Sequence, residues 1–456
     1  MSTCESANAA GAQRTRSNST LEGHSPHRCA SPAPGYALAS VIFRDDKTGW
    51  DGAAISIAVM LLLAPVALTF HMAHRGDDPA GPDPRYTRGY DMVQFWVGAA
   101  VLESSAPPAD LYDADTYARA FDSIITANAG RGYGPTYPPP IYQAFGAVDG
   151  IGQIRATKLL LWLYLLAVGL GIALLLRSAG YQVENGVEVG LLLWSAPAAL
   201  LGVSTGQSSG FWLAFLAAGF VLWRREKKLL AGVAFSLLCI KPTLAAPVVL
   251  ALVLASQSRV IAGFVLGGSL LLAFSISIDG VEIWRGYVDM MLRNPDLTQQ
   301  LWSSLERQFS FRSLVSVPFR ETSLAVPVGA LGSVAAVMLA IWFRQKLTPT
   351  LASAPHSFPA LSLLLGACAF ATPHLLDYDL VLYFPLMIWA SYRIAEKRAH
   401  NMGLGIAALS AFYVVPIAYP ISARIDFSVG SLVALLLLLW CASEVSQSYS
   451  KGDAIT

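Results

Sequence analysis

The feature that most constrains this chain is a succession of apolar runs, most of them about 16 to 22 residues long, set apart by short polar clusters. A helix needs about 20 apolar residues to cross a hydrocarbon layer roughly 30 Å thick, so runs of this kind, repeated along a chain, describe a bundle of spanning helices. A soluble core with a single anchor is excluded. The composition agrees, since 54% of the 456 residues are hydrophobic and 13% charged, with a mean hydropathy of +0.50. A soluble domain carries about a quarter charged residues. The net charge of +1 comes without a basic stripe, so nucleic acid is not expected as a partner. Cys4, Cys29, Cys239, Cys368 and Cys441 fall in a polar tail or in apolar runs and show neither a disulfide framework nor metal-ligand spacing.

Taken in order, residues 1–50 are rich in Ser, Ala, Pro and Arg and read as a disordered cytoplasmic tail without the apolar core of a cleavable signal peptide. A transmembrane domain is expected over 51–446. Its first span, Ile55 to Phe70, follows Arg44 and Lys47, which keeps the tail inside and puts the next loop, 71–153, outside. That loop is acidic and is expected to hold short surface helices, among them an amphipathic one from Asp91 to Leu102. Thr136-Tyr137-Pro138-Pro139-Pro140 is a stiff extended entry to Ile141–Ile151, which is read as re-entering without spanning. Later spans are expected at Lys158–Leu176, Glu188–Val203, Ser208–Trp223, Leu229–Ile240, Thr243–Ala255 and Val260–Ile278. After a second outer loop, 279–323, come Leu324–Phe343, Phe358–Ala371, Asp379–Tyr392, Met402–Tyr419 and Phe427–Val445, then a cytoplasmic tail, 447–456. The fold class is therefore an all-α polytopic membrane protein of about twelve transmembrane helices.

With both ends inside, the basic clusters Arg224 to Lys228, Arg344 to Lys346 and Arg393 to Arg398 all face the cytoplasm, as positive charge should. The first loop, the turn Thr205 to Ser209, the 279–323 loop and Pro373 to Asp379 then share the outer face and can converge on one site. Two short runs, Leu229–Ile240 and Thr243–Ala255, are broken by Lys241-Pro242, and a broken pair at membrane depth usually lines a cavity.

Tyr90-Asp91 with Phe95-Trp96 after the first span, then Leu111-Tyr112-Asp113, Tyr137-Pro138-Pro139-Pro140, Gly206-Gln207-Ser208, Lys241-Pro242 and Asp377-Tyr378-Asp379, in this order, resemble glycosyltransferase family 87. The likeness covers roughly residues 50 to 395, and order and spacing carry it. It implies a C-type glycosyltransferase fold, a sugar (mannose in the resembled enzymes) carried on a polyprenyl monophosphate, and inverting transfer on the outer face to a glycolipid or glycan acceptor. The implied location is the plasma (inner) membrane, multi-pass, with membrane lipids around the site. The chemistry of inversion needs one base to take a proton from the acceptor hydroxyl as it attacks the anomeric carbon. The resemblance maps that base onto Asp91, which also borders an apolar segment; the alternative is an Asp that caps the helix that follows, and it can do both.

A lipid phosphate leaving group gains negative charge that a cation or hydrogen-bond donors must meet. Lys241 is the first candidate for donor phosphate or sugar binding, against a Lys that merely snorkels to the interface. Gln207 and Ser208 can donate to the phosphate or sugar, or cap the next helix. His374, Asp377 and Asp379 suit the same donor contacts, or form an interfacial loop with Asp379 opening a helix. Tyr137 joins them. Phe95, Trp96, Tyr137, Trp284, Tyr287 and Trp302 can include sugar-stacking or lipid-entry positions but read mostly as interface anchors, and Asp77, Asp78 and Asp83 as solvated loop charges. No cofactor and no metal are expected, since Lys and amide donors suffice for a monophosphate and no His/Glu pair has metalloenzyme spacing. The rival from another class is a transporter or flippase of lipid-linked sugars, which would share the broken helices and the intramembrane Lys.

Overall fold

The computed structural model describes residues 90–124, 134–180, 183–293, 305–320, 322–354, 357–395, 399–417 and 419–450. The expected span Ile55–Phe70, the tail 1–50, Asp77, Asp78, Asp83 and Trp302 lie outside them. The described residues are all-helical, with a single isolated bridge, Gln308 to Leu376, in place of any strand.

Four helices lead into the bundle: α1 (Tyr90–Glu103), α2 (Ala114–Ile124), α3 (Pro139–Asp149) and α4 (Gln153–Ser178). Then follow α5 (Val183–Trp194), α6 (Pro197–Thr205), α7 (Ser209–Arg224), α8 (Lys228–Ser236), α9 (Pro242–Leu254) and α10 (Ser258–Asp279). The second loop contributes α11 (Glu282–Arg293) and α12 (Phe311–Ser316), and the chain continues through α13 (Ala325–Lys346), α14 (Thr348–Ser353) and α15 (Phe358–Ala371). It ends with α16 (Phe384–Ala395), α17 (Met402–Val414), α18 (Tyr419–Ile425) and α19 (Val429–Ser450). Stretches α4, α10, α13 and α19 are each long and apolar enough to cross a membrane, and five shorter apolar helices accompany them.

Where the apolar side chains point says what surrounds the bundle. Trp162 on α4 is 72% exposed and Leu331 on α13 70%, with Leu166, Leu270 and Phe274 also turned outward. Large apolar side chains turned outward along helices of membrane-crossing length suit contact with lipid. At the centre stands α15, every residue of which is buried, packed by α9, α13, α16 and α19.

Glycine sets how closely the helices approach. On α8, a Cβ at Gly232 would run into the Val260 carbonyl oxygen and Phe264 nitrogen, and one at Gly263 of α10 would run into the Leu229 carbonyl oxygen. Further along, Gly267 meets Val233 and Ser236, so the register rises on both helices together and the two run parallel. A helix must therefore return between them, and α9 is that helix, with Lys241 at the turn that leads into it.

Two differences from the sequence expectation have local causes. The run Glu188–Val203 is broken into α5 and α6 at Pro197, which has no N–H to continue the first helix and sits at the first turn of the second. The helix expected to lie on the membrane surface, α1, is instead buried: Met92, Val93, Phe95, Trp96, Val97, Ala99 and Val101 are all enclosed, by α2, α3 and neighbouring segments. Apolar residues on every side of a helix demand burial on every side. The surface helix of this loop is α2, with Tyr117 and Phe121 inward and Asp115, Arg119 and Asp122 outward. Phe95 and Trp96 accordingly belong to the protein core and not to an interface belt. The last helix also runs on to Ser450, past the boundary expected at 446.

Candidate active site

Several interruptions of helical structure meet at one end of the bundle, and each delivers a polar side chain. Asp91 lies in the first turn of α1, where the helix dipole favours a carboxylate. Gln207 follows Gly206, whose left-handed φ of 71° ends α6 while its N–H returns to the Gly202 carbonyl. Lys241 precedes Pro242, which forces it out of helical geometry (φ −128°, ψ 89°) between the 3-10 turn Leu237–Ile240 and α9. His374 lies in the loop after α15, and Asp377 and Asp379 open the 3-10 helix Asp377–Tyr383.

The contacts are specific. Gln207 Nε2 donates to Asp91 Oδ2 at 2.6 Å, and Tyr137 Oη donates to Gln207 Oε1 at 3.2 Å. Lys241 Nζ pairs with Asp379 Oδ1 at 2.5 Å and sits 4.7 Å from the centre of the Tyr378 ring. Arg307 grips Asp377 through Nε and Nη2 at 3.0–3.2 Å, a forked pairing that Lys cannot make. Gln308 Nε2 lies 3.3 Å from His374 Nδ1, a side-chain contact that holds the imidazole in the site. The second outer loop is fastened here by the Phe309 N–H, which donates to the Leu375 carbonyl at 2.8 Å.

Electrostatics join these pairs into one site. Burial first, then Asp379 and Asp91, raise the pKa of the Tyr137 phenol, so both carboxylates lie near it. The field of Asp377 above all, with a smaller part from Asp91, holds the Arg307 guanidinium protonated against its burial. Burial and then the cations Lys241, Arg312 and Arg307 push His374 down to about 4, so its imidazole is neutral at physiological pH.

Every residue expected at the site is thus found at this end of the bundle. Asp91, Gln207 and Tyr137 form one chain of hydrogen bonds, and Lys241, Asp377 and Asp379, with the neutral His374, lie beside it. Lys241 is buried and ion-paired, which excludes snorkelling. Ser208 begins α7 without a side-chain cap and accepts instead from Trp212 Nε1 at 2.8 Å, so it faces its own helix. Among the described residues no group of three or more His, Cys, Asp and Glu side chains is placed to hold a metal ion.

Arg307, Gln308 and Arg312 were not singled out by sequence. Their signal is faint but physical: arginines in a loop assigned to the outer face run against the positive-inside trend and need a reason to be there.

Residues 136–365 match glycosyltransferase family 87, half of the chain. The chain belongs to glycosyltransferase family 87. It is a membrane glycosyltransferase, with a sugar donor and an acceptor as its substrates. The matched stretch of this family 87 member holds Tyr137, Gln207, Lys241 and Arg307, whereas Asp91 precedes it and His374, Asp377 and Asp379 follow it. Folding brings those three segments together. No curated protein and no solved structure matches the chain.

Proposed function

We propose that this family 87 enzyme is an inverting transferase that moves a hexose, mannose by the family resemblance, from a polyprenyl-phosphate donor to an extracytoplasmic glycolipid or glycan acceptor. Asp91 is the base. As the acceptor oxygen bonds to the anomeric carbon, its proton passes to the Asp91 carboxylate and the bond from that carbon to the phosphate oxygen breaks. The polyprenyl phosphate departs with the bonding electrons. Lys241, Arg307 and the ring N–H of the neutral His374 meet the charge that grows on it, and Asp377 and Asp379 keep the two cations aimed. No cofactor is required by these steps.

The observation that carries this reading is the pairing of a held carboxylate, Asp91, with cations and a neutral histidine at one end of a lipid-facing bundle. The side of the membrane is supported by the opposite end. There Arg344 Nε donates to the Leu254 carbonyl at 3.0 Å, and Arg393 meets Glu444 at 3.6 Å. These contacts gather the C-terminal ends of α9, α13, α16 and α19 with their basic residues, a cytoplasmic signature. The family resemblance implies a C-type fold in the inner membrane, and the apolar runs of the sequence suggest about twelve crossings in a domain over 51–446.

The test is Asp91→Asn in the purified full-length protein. Transfer from a polyprenyl-phosphate mannose should fall on the order of 10²–10⁴-fold while donor binding persists. Full transfer by a correctly folded variant would end the base assignment, and translocation of the donor without transfer would turn the reading to a flippase.

A further inference from the structure

Gln207 stands between two groups of opposite hydrogen-bonding character. Its amide nitrogen faces Asp91 and its amide oxygen faces the Tyr137 hydroxyl. An ionised carboxylate has no proton to give, so only the nitrogen can face it. Turned over, the amide would set its oxygen against Asp91, and that contact holds only if Asp91 is protonated. The Tyr137 hydroxyl, donating to the amide oxygen, selects the first orientation.

Tyr137 is itself fixed on three sides. Its N–H donates to Tyr142 Oη at 3.3 Å, its carbonyl accepts from Tyr112 Oη at 2.8 Å, and its ring meets Phe95 edge-on at 4.9 Å. The Tyr142 ring in turn fills the space above Gly98, where any Cβ would collide with it. Gly98 lies on α1 about two turns beyond Asp91, on the same face. The chain of contacts therefore begins and ends on the helix that carries the carboxylate.

We propose that Gln207 and Tyr137 are positioning residues for the transfer, holding one Asp91 oxygen in place and the carboxylate in its ionised form. They act through Asp91 and touch neither sugar nor phosphate. This rests on Asp91 as the base. Other groups lie around the same carboxylate: Tyr378 from the 3-10 helix and Arg307 from the second loop both feel its charge, Asp379, paired with Lys241, shares the Tyr137 phenol with it, and His374 lies near Lys241 and Arg307. They remain in every variant below, so a change between variants reports the amide.

The experiment follows the Asp91 carboxyl by infrared titration of the full-length protein in detergent, its band assigned by loss in Asp91→Asn. Gln207→Leu removes the donor and should raise the titration midpoint by about one pH unit. Gln207→Glu places two carboxylates against each other and should raise it further. Tyr137→Phe, which frees the amide to turn, should give a smaller shift in the same direction and carries the test if the Gln207 variants do not fold. In turnover the acid limb of kcat/KM should move with the midpoint, about tenfold in rate per unit below it, while the KM for a polyprenyl-phosphate mannose stays constant. An unmoved midpoint in folded Gln207→Leu overturns the proposal, as does a raised donor KM with an unmoved acid limb, which would make Gln207 a donor contact. Transfer retained by Asp91→Asn would strike the base reading instead and leave the infrared shift to decide the pairing.

Discussion

Asp379 is buried completely, and its nearest compensation is the ammonium of Lys241, itself 6% exposed. A pair taken this far from water gains little net stability, because desolvation offsets most of the attraction, yet either partner left alone is an uncompensated buried charge. Lys241→Met alone should therefore cost about 3–5 kcal/mol, and Lys241→Met with Asp379→Leu should recover most of it. Chemical denaturation in detergent would measure both, and the double variant should remain inactive although stable. His374 makes a separate prediction at the same scale. With its pKa pushed down to about 4 in the folded protein and near 6.5 when unfolded, the unfolded chain binds the extra proton between those values. Its contribution to stability is whole above about pH 6.5 and declines as pH falls toward 4. His374→Asn should thus lose less of its unfolding temperature between pH 7 and pH 4.5 than the parent does.

Among the elements, the parallel pair α8 and α10 carries the placement of Lys241. Gly232 and Gly263 let the two backbones touch, and a side chain at either must force them apart. Gly232→Leu should lower the unfolding temperature and reduce transfer together, whereas Gly268→Leu on the same α10, where nothing lies within 4 Å of a Cβ, should change neither. Differential scanning fluorimetry beside an activity assay would separate them. Element positions were legible because hydropathy reports them directly. Phe358–Ala371 is helical over the same residues in sequence expectation and structure, and Lys158–Leu176 lies within α4. What failed was the environment of α1. A sequence rich in Val, Phe, Trp and Ala beside a carboxylate suits both a membrane surface and a protein interior, and only the partners of the helix decide between them.

At the scale of the whole molecule, the site and the basic clusters occupy opposite ends of the bundle. Asp115 on α2 is exposed at the site end, and Lys227, before α8, is exposed at the other. In a background with the native cysteines replaced, Asp115→Cys should react with a membrane-impermeant maleimide applied to intact cells. Lys227→Cys should react only after permeabilisation. The reverse pattern would place the site in the cytoplasm and remove a polyprenyl donor of outer-face type from consideration.

By itself the sequence determined that this is a helical membrane protein, roughly where its helices lie, and which breaks between them hold polar side chains. Apolar periodicity and basic clusters are local properties, and the bilayer reads them locally. Only the tertiary structure decided which polar groups meet. The Gln207 amide between Asp91 and Tyr137, the pairing of Lys241 with Asp379, and the arrival of Arg307 at Asp377 join segments more than sixty residues apart. Such contacts depend on side-chain geometry and on the desolvation of each partner, and neither is written in the order of residues along one segment.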